Sequence, residues 1–168
     1  MNWYRARWSR LLVFVSTGAS IVCIGSAVIL VQMSGVLRWT AILPLVLLVW
    51  TALLTIRGYE VGQKSIVVRR LFWNTRLPMH GLSSAIYDPD AMRYAIRLIG
   101  NGGLFAFTGL YWNKKLGRFR AFVTDLRRTV VLKYPGKTFV VSPENPEAFV
   151  KEIVGLAGLV LQSAPGKG

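Results

Sequence analysis

Ile99–Asp125 reads IGNGGLFAFTGLYWNKKLGRFRAFVTD, and this stretch carries the pattern of paired β-strands. Two runs rich in aromatic and β-branched residues, Leu104–Trp112 and Arg118–Thr124, are separated by the polar break Asn113–Gly117. Asn101-Gly102 stands before the first run, and Asn-Gly is a strong hairpin signal because both residues tolerate positive φ. The second run alternates. Phe119, Ala121 and Val123 point one way; Arg118, Arg120, Phe122 and Thr124 point the other, as a period of two requires.

The same texture extends in both directions. Arg57–Val61, Ser65–Phe72, Thr75–Pro78, Leu82–Tyr87 and Ala95–Ile99 are short strand candidates upstream, and Thr129–Tyr134 and Thr138–Ser142 follow downstream. Turn signals separate them at Gly62-Gln63, Trp73-Asn74, Asp88-Pro89-Asp90 and Pro135-Gly136. The chain then turns helical: Asn145 is a good cap, Pro146 suits the first helical position, and Phe149, Ile153, Leu156 and Val160 form one apolar stripe. Residues 57–161 therefore read as a domain of the α+β class. Its expected form is a pleckstrin-homology-like (PH-like) antiparallel β-barrel or sandwich capped by a C-terminal α-helix; other small β-barrels with one helix fit the same pattern. The tail Gln162–Gly168 is small and polar and is expected to fray.

Before Arg57 the composition changes. Leu11–Val31 is uncharged over 21 residues and Trp39–Ile56 over 18. At about 1.5 Å per residue the first run covers roughly 30 Å, the hydrocarbon thickness of a bilayer. The expectation is a transmembrane hairpin over residues 11–56, with helices near 11–31 and 39–56 and a tight turn at Ser34-Gly35. The basic leader 1–10 carries Arg5, Arg7 and Arg10, the linker carries only Arg38, and Arg57, Lys64, Arg69 and Arg70 follow the second run. The positive-inside rule then puts both termini at the cytoplasmic face of the inner membrane, with Trp3, Tyr4 and Trp8 at headgroup level. The apolar core of the first run is longer than the usual signal-peptide core, and no clear A-x-A cleavage site follows it, so the run is expected to stay in the chain as a span. Neither run holds an ionisable residue, which argues against a proton or ion path.

Net charge is +14, from 21 Lys and Arg against 7 Asp and Glu, and all seven acids lie after the second apolar run. A basic domain beside a membrane is drawn to anionic phospholipid. Arg69, Arg70 and Arg76, near Trp73, and Lys114, Lys115, Arg118 and Arg120, beside Tyr111 and Trp112, are the candidate lipid or partner surface. Solvated hairpin faces would have the same composition. Ser16, Ala19, Ser20, Cys23 and Ala27 form a small-residue stripe on the first helix, a candidate packing face toward the second helix or toward another chain.

Catalytic chemistry finds little to stand on. Cys23 is the only cysteine and His80 the only histidine, so no zinc site assembles and no internal disulfide forms. His80 follows Pro78-Met79 in a loop. Gly100-Asn101-Gly102-Gly103 lacks the Gly-Lys-Ser/Thr of a phosphate-binding loop and no helix follows it, so it reads as a hairpin turn. Asp88-Pro89-Asp90 is an ordinary turn sequence. Ser83, Ser84 and Ser142 have no evident base. No catalytic residue, cofactor or metal is expected, and nucleic acid is not an expected partner.

GYEVGQKSIVVRR (Gly58–Arg70), IGNGGLFAFTGLYWNKKLGRFRAFVTD and VVLKYPGKTFVVSPENPEAFVKEI (Val130–Ile153) together resemble the bacterial PH domain family, particularly its membrane-anchored members. The resemblance implies a PH-like fold and a non-enzymatic role in assembly or signalling at the membrane. The expected function is a membrane-anchored module for protein–protein assembly, with a protein partner or another copy of itself, in which basic loops contact anionic lipid. The alternative is an accessory subunit of a transporter or other membrane complex, acting through its helices.

Overall fold

A computed structural model of the chain describes residues 2–159. Its elements run β1 (Asn2–Arg5), α1 (Arg10–Val31), a 3-10 segment (Gly35–Ala41), α2 (Ile42–Leu53), β2 (Ile56–Val61), β3 (Ser65–Arg70), β4 (Asn74–Pro78), β5 (Ser84–Tyr87), β6 (Ile96–Leu104), β7 (Ala106–Asn113), β8 (Gly117–Val123), β9 (Val130–Tyr134), β10 (Lys137–Val141) and α3 (Pro146–Ala157). All nine expected strands form, and α3 starts where Asn145 and Pro146 predict, with the Asn145 side chain accepting from the Ala148 N–H at 3.2 Å. Val160 and the tail Gln162–Gly168 lie outside the described residues.

The strands make two sheets, ordered β1-β2-β3-β4 and β5-β9-β10-β8-β7-β6. Of the expected antiparallel barrel or sandwich, the barrel does not close and the strands are not all antiparallel. β4 and β6 are left as free edges, so the sheets face each other without closing. β10 also pairs parallel to β8, with Phe139 opposite Arg120. The chain reverses after β8 and again at Pro135-Gly136, so β10 runs in the direction of β8 and takes the place beside it that a simple meander gives to β9.

Tyr59, Ile66, Val68, Val130, Leu132 and Val141 from the two sheets meet Phe149 and Ile153 of α3 in the main core. Phe119, Ala121 and Val123 point to the opposite face of the six-stranded sheet, where Ala91 and Met92 of the β5–β6 connection cover them. The alternation read along β8 thus separates two cores. Phe122, on the alternate face, joins the main one.

The largest departure from expectation is at the N-terminus. The leader is a strand: β1 pairs antiparallel with β2, with Asn2 opposite Val61 and Arg5 opposite Gly58. Tyr4 packs against the C-terminal helix. Its ring meets Phe149 edge-on at 5.1 Å, and its hydroxyl donates to Glu152 at 2.5 Å. Burial, then that carboxylate, raises the Tyr4 hydroxyl to about 12. Three N–H donors continue the attachment: Ala6 to the Arg57 carbonyl, Ser9 to the Thr124 carbonyl and Glu144 to the Arg5 carbonyl.

The helices also differ in detail from expectation. The second apolar run opens as a 3-10 segment, becomes α-helical at Ile42 and ends at Leu53; Ile56, expected in the helix, is buried as the first residue of β2. Arg10–Val31 and Gly35–Leu53 are each long and apolar enough to cross a membrane. They pack on each other yet leave Phe14, Ile21, Val22, Leu43 and Val49 exposed.

Candidate functional site

The free edges define the site. Where β4 and β6 fail to meet, a cavity of about 740 Å³ opens between the two sheets, and the C-terminal turn of α2 lies against it. β3 contributes Arg70, β6 contributes Arg97 and β8 contributes Arg120; Trp50 and Leu54 of the helix end and Phe122 supply apolar wall. The volume falls within the range of small-molecule sites. No lining residue is acidic.

Arg70 is the most constrained of the three. Its guanidinium carbon lies 4.9 Å from the Phe122 ring centroid and 5.6 Å from that of Trp73, so it bridges from one sheet to the other by cation–π contact. Desolvation by burial pulls its pKa below the usual arginine range, opposed by the nearby Tyr59. Its Nε is the one buried side-chain nitrogen or oxygen without a hydrogen-bond partner among the described residues. A buried donor left unmade is costly, so such a group marks a place where an acceptor would be stabilising.

The floor of the cavity depends on glycine. Gly100 and Gly109 are cross-strand partners with φ of +122° and +135°. A Cβ on Gly100 would overlap the Thr108 carbonyl, and one on Gly109 the Ile99 carbonyl. The expected turn at Asn101-Gly102 is therefore corrected: that segment is strand, and the hairpin reverses at Phe105. Asn101 holds the tip by accepting from the Leu104 N–H at 3.1 Å and donating to the Leu104 carbonyl.

That tip touches α1. The Phe105 N–H donates to Ser16 Oγ at 2.9 Å, and its ring meets Trp8 edge-on at 6.1 Å. A second apolar tip lies at the same end of the domain. Ile56, three residues after α2, pairs with Arg70, which puts the β3–β4 turn Leu71-Phe72-Trp73 beside the exit of that helix. Phe72 is exposed over 73% of its surface.

The seven basic residues singled out in sequence do not form one surface. Arg70 and Arg120 line the cavity. Arg69 pairs with Glu60 at 2.8 Å, and Arg76 is exposed on β4. Lys114 and Lys115 occupy the β7–β8 turn, at the far end of β7 from Phe105, about 23 Å away at the usual strand rise. Lys115 pairs with Asp88 at 2.5 Å, and Arg118 stands opposite Trp112 near that end. The α1 stripe is the inward side of its helix: Ser16 and Ala27 are buried, and Ala19, Ser20 and Cys23 partly so. Sequence reasoning missed Arg97, Trp50 and Leu54 as lining residues, because the lining comes from segments far apart in the chain.

The residues weighed for catalysis have structural surroundings. Asp88 takes the Asp90 N–H at 3.1 Å as well as Lys115. Ser142 Oγ accepts from the N–H groups of Thr124 and Asp125 at 2.8 and 3.2 Å. His80 is exposed. No cluster of three His, Cys, Asp or Glu that would hold a metal occurs among the described residues.

No curated protein and no solved structure matches the chain. A family model described as bacterial PH domain matches residues 57–157, from the first residues of β2 to the end of α3. β1 and both apolar helices lie outside the matched range. With its sheets, its C-terminal helix and this match over more than half its length, the chain belongs to the bacterial PH domain family.

Proposed function

We propose that the protein is a non-enzymatic recognition module, anchored by α1 and α2 across the cytoplasmic membrane. Its PH-like domain is held on the inner leaflet to bind anionic membrane components. The observation that carries this reading is convergence: both helix ends and both apolar tips, Leu71-Phe72-Trp73 and Phe105, lie at one end of the domain. Exposed apolar side chains around both helices support spanning over burial in a soluble core, since the most apolar windows are only 17% and 6% buried. A cleaved leader fits poorly, because cleavage after α1 would remove β1 from its sheet.

The test places nitroxide labels at Phe72→Cys, Phe105→Cys and Lys114→Cys, each in a Cys23→Ser background, in the full chain in liposomes. Labels at 72 and 105 should be broadened by oxygen dissolved in the bilayer, and that at 114 by an aqueous relaxant. Aqueous behaviour at both 72 and 105 would sink the placement.

Assembly with a protein partner or another copy is the second reading. β6 favours it: a nine-residue edge strand with Ile96, Leu98 and Ile99 exposed, the kind of edge that accepts another strand. The accessory-subunit reading draws less support, since its small-residue stripe faces inward within the chain.

A further inference from the structure

We propose that the free edge of β6 takes up an extended segment of another protein in which apolar and acidic residues alternate, adding a strand at the seam between β6 and β4. This deepens the assembly reading above and rests on it. β4 and β6 are both free edges, but they differ. β4 has five residues, carries the exposed Arg76 and ends at Pro78, features that discourage pairing. β6 has nine residues and no proline, with Ile96, Leu98 and Ile99 exposed along it. Gly100 and Gly102 are exposed as well, and no side chain shields the backbone there. Such an edge offers unpaired N–H and C=O groups to an incoming strand.

The two faces of β6 define the chemistry of the occupant. Ile96 stands opposite Trp112, Ile99 opposite Leu110, and Leu110 opposite Arg120. This face turns toward the seam, where Leu110 and Phe122 supply apolar wall. Arg97 stands opposite Tyr111, and its side chain lies over Gly102, where a Cβ would come 2.5 Å from Nη1. It therefore belongs to the opposite face. Side chains of an added strand alternate in the same way. Apolar ones enter the seam, and acidic ones stand on the face of Arg97, which has no ion-pair partner among the described residues. Arg70 and Arg120, in a seam with no acidic lining residue, work against a basic segment. A second copy of the chain suits the edge less well. The outer strands β1, β4 and β6 carry Arg5, Arg76 and Arg97 and no acid, so pairing two such edges sets like charges together. β5, the remaining outer strand, packs against α3.

The experiment is fluorescence anisotropy of labelled synthetic peptides with the full chain in neutral detergent micelles. The peptides are alternating glutamate–valine, alternating lysine–valine and alternating glutamate–proline. The glutamate–valine peptide should bind at least about tenfold more tightly than either of the others. The lysine peptide meets arginines, and the proline peptide keeps the acidic charge but cannot continue a strand ladder. Equal binding of the glutamate–valine and glutamate–proline peptides would overturn strand addition in favour of charge attraction alone. Equal binding of the glutamate–valine and lysine–valine peptides would overturn the acidic partner. These comparisons use the wild-type chain, so they stay readable whatever the variants do. Arg97→Gln should weaken the glutamate–valine peptide severalfold, and Lys151→Gln on α3 should leave it unchanged. A cysteine in that peptide should form a disulfide with Leu98→Cys and not with Arg76→Cys on β4, each in a Cys23→Ser background. Reaction at β4 alone would overturn β6 as the acceptor. No peptide binding, with a chain-to-chain disulfide at Leu98→Cys, would replace the acidic partner by another copy and leave assembly through β6 standing. Absence of both would remove the assembly reading too.

Discussion

Tyr59, Thr124 and Ser142 come from the three stretches that resemble the family, and in the folded chain they form one buried network. The Tyr59 hydroxyl donates to the Phe122 carbonyl at 2.6 Å and accepts from the Ser142 N–H at 3.1 Å. The Thr124 hydroxyl donates to the Arg7 carbonyl at 2.9 Å, which ties the leader to the same point. Tyr59→Phe would strand a buried acceptor and a buried donor, at a cost of about 1–3 kcal/mol. Burial raises the Tyr59 hydroxyl to about 12, with Ser142 opposing. The folded pKa therefore lies above the unfolded value of 10.0. The stability this supplies is complete below pH 10 and is lost as pH rises toward 12. Chemical unfolding of both proteins in detergent should show their stability gap narrowing between those pH values; a constant gap would mean that the hydroxyl is not held as described. At this scale the sequence was legible only in part. The alternation of β8 separated Phe119, Ala121 and Val123 from Arg120 and Phe122, but nothing local marked Phe122 as the neighbour of Arg70.

Strands and the last helix were legible because their signals are local: period two, turn residues, and an Asn-Pro start. β1 was not, because four residues, NWYR, beside an apolar span have the composition of an interfacial leader. The position of Phe105 in the turn was hidden by Asn101-Gly102, whose ordinary hairpin role gave way to the close Gly100–Gly109 pairing. The leader strand is directly testable. Trp3 and Glu60 are cross-strand partners, and the Cα spacing of such pairs, about 4.5–5.5 Å, suits a disulfide. Trp3→Cys with Glu60→Cys, in a Cys23→Ser background, should cross-link within one chain under mild oxidation in membranes. Absence of the cross-link, with a Trp3→Cys/Lys133→Cys control equally silent, would show that the leader is not part of the sheet. It also follows that a fragment starting at Arg57, although it covers the matched domain, lacks β1 and exposes the edge of β2.

For the whole molecule, β1 precedes α1 and β2 follows α2, yet the two strands are hydrogen-bonded neighbours. If the helices cross the bilayer, they must therefore cross as a pair and return to the same side, a conclusion that needs no charge rule. Charge then chooses the side: three arginines in the leader and four basic residues between Arg57 and Arg70 oppose the lone Arg38 of the connecting segment. Ser34→Cys and Lys114→Cys, each in a Cys23→Ser background, separate these two arguments. An impermeant maleimide should label position 34 in intact spheroplasts and position 114 only in inverted vesicles. The opposite pattern would overturn the inner-leaflet assignment while preserving the paired crossing that the sheet demands. Labelling of both positions from one side would mean that the helices do not cross. The exposed apolar surface of α1 and α2 would then have to be covered by protein instead of lipid, and the assembly reading through β6 would become the stronger one.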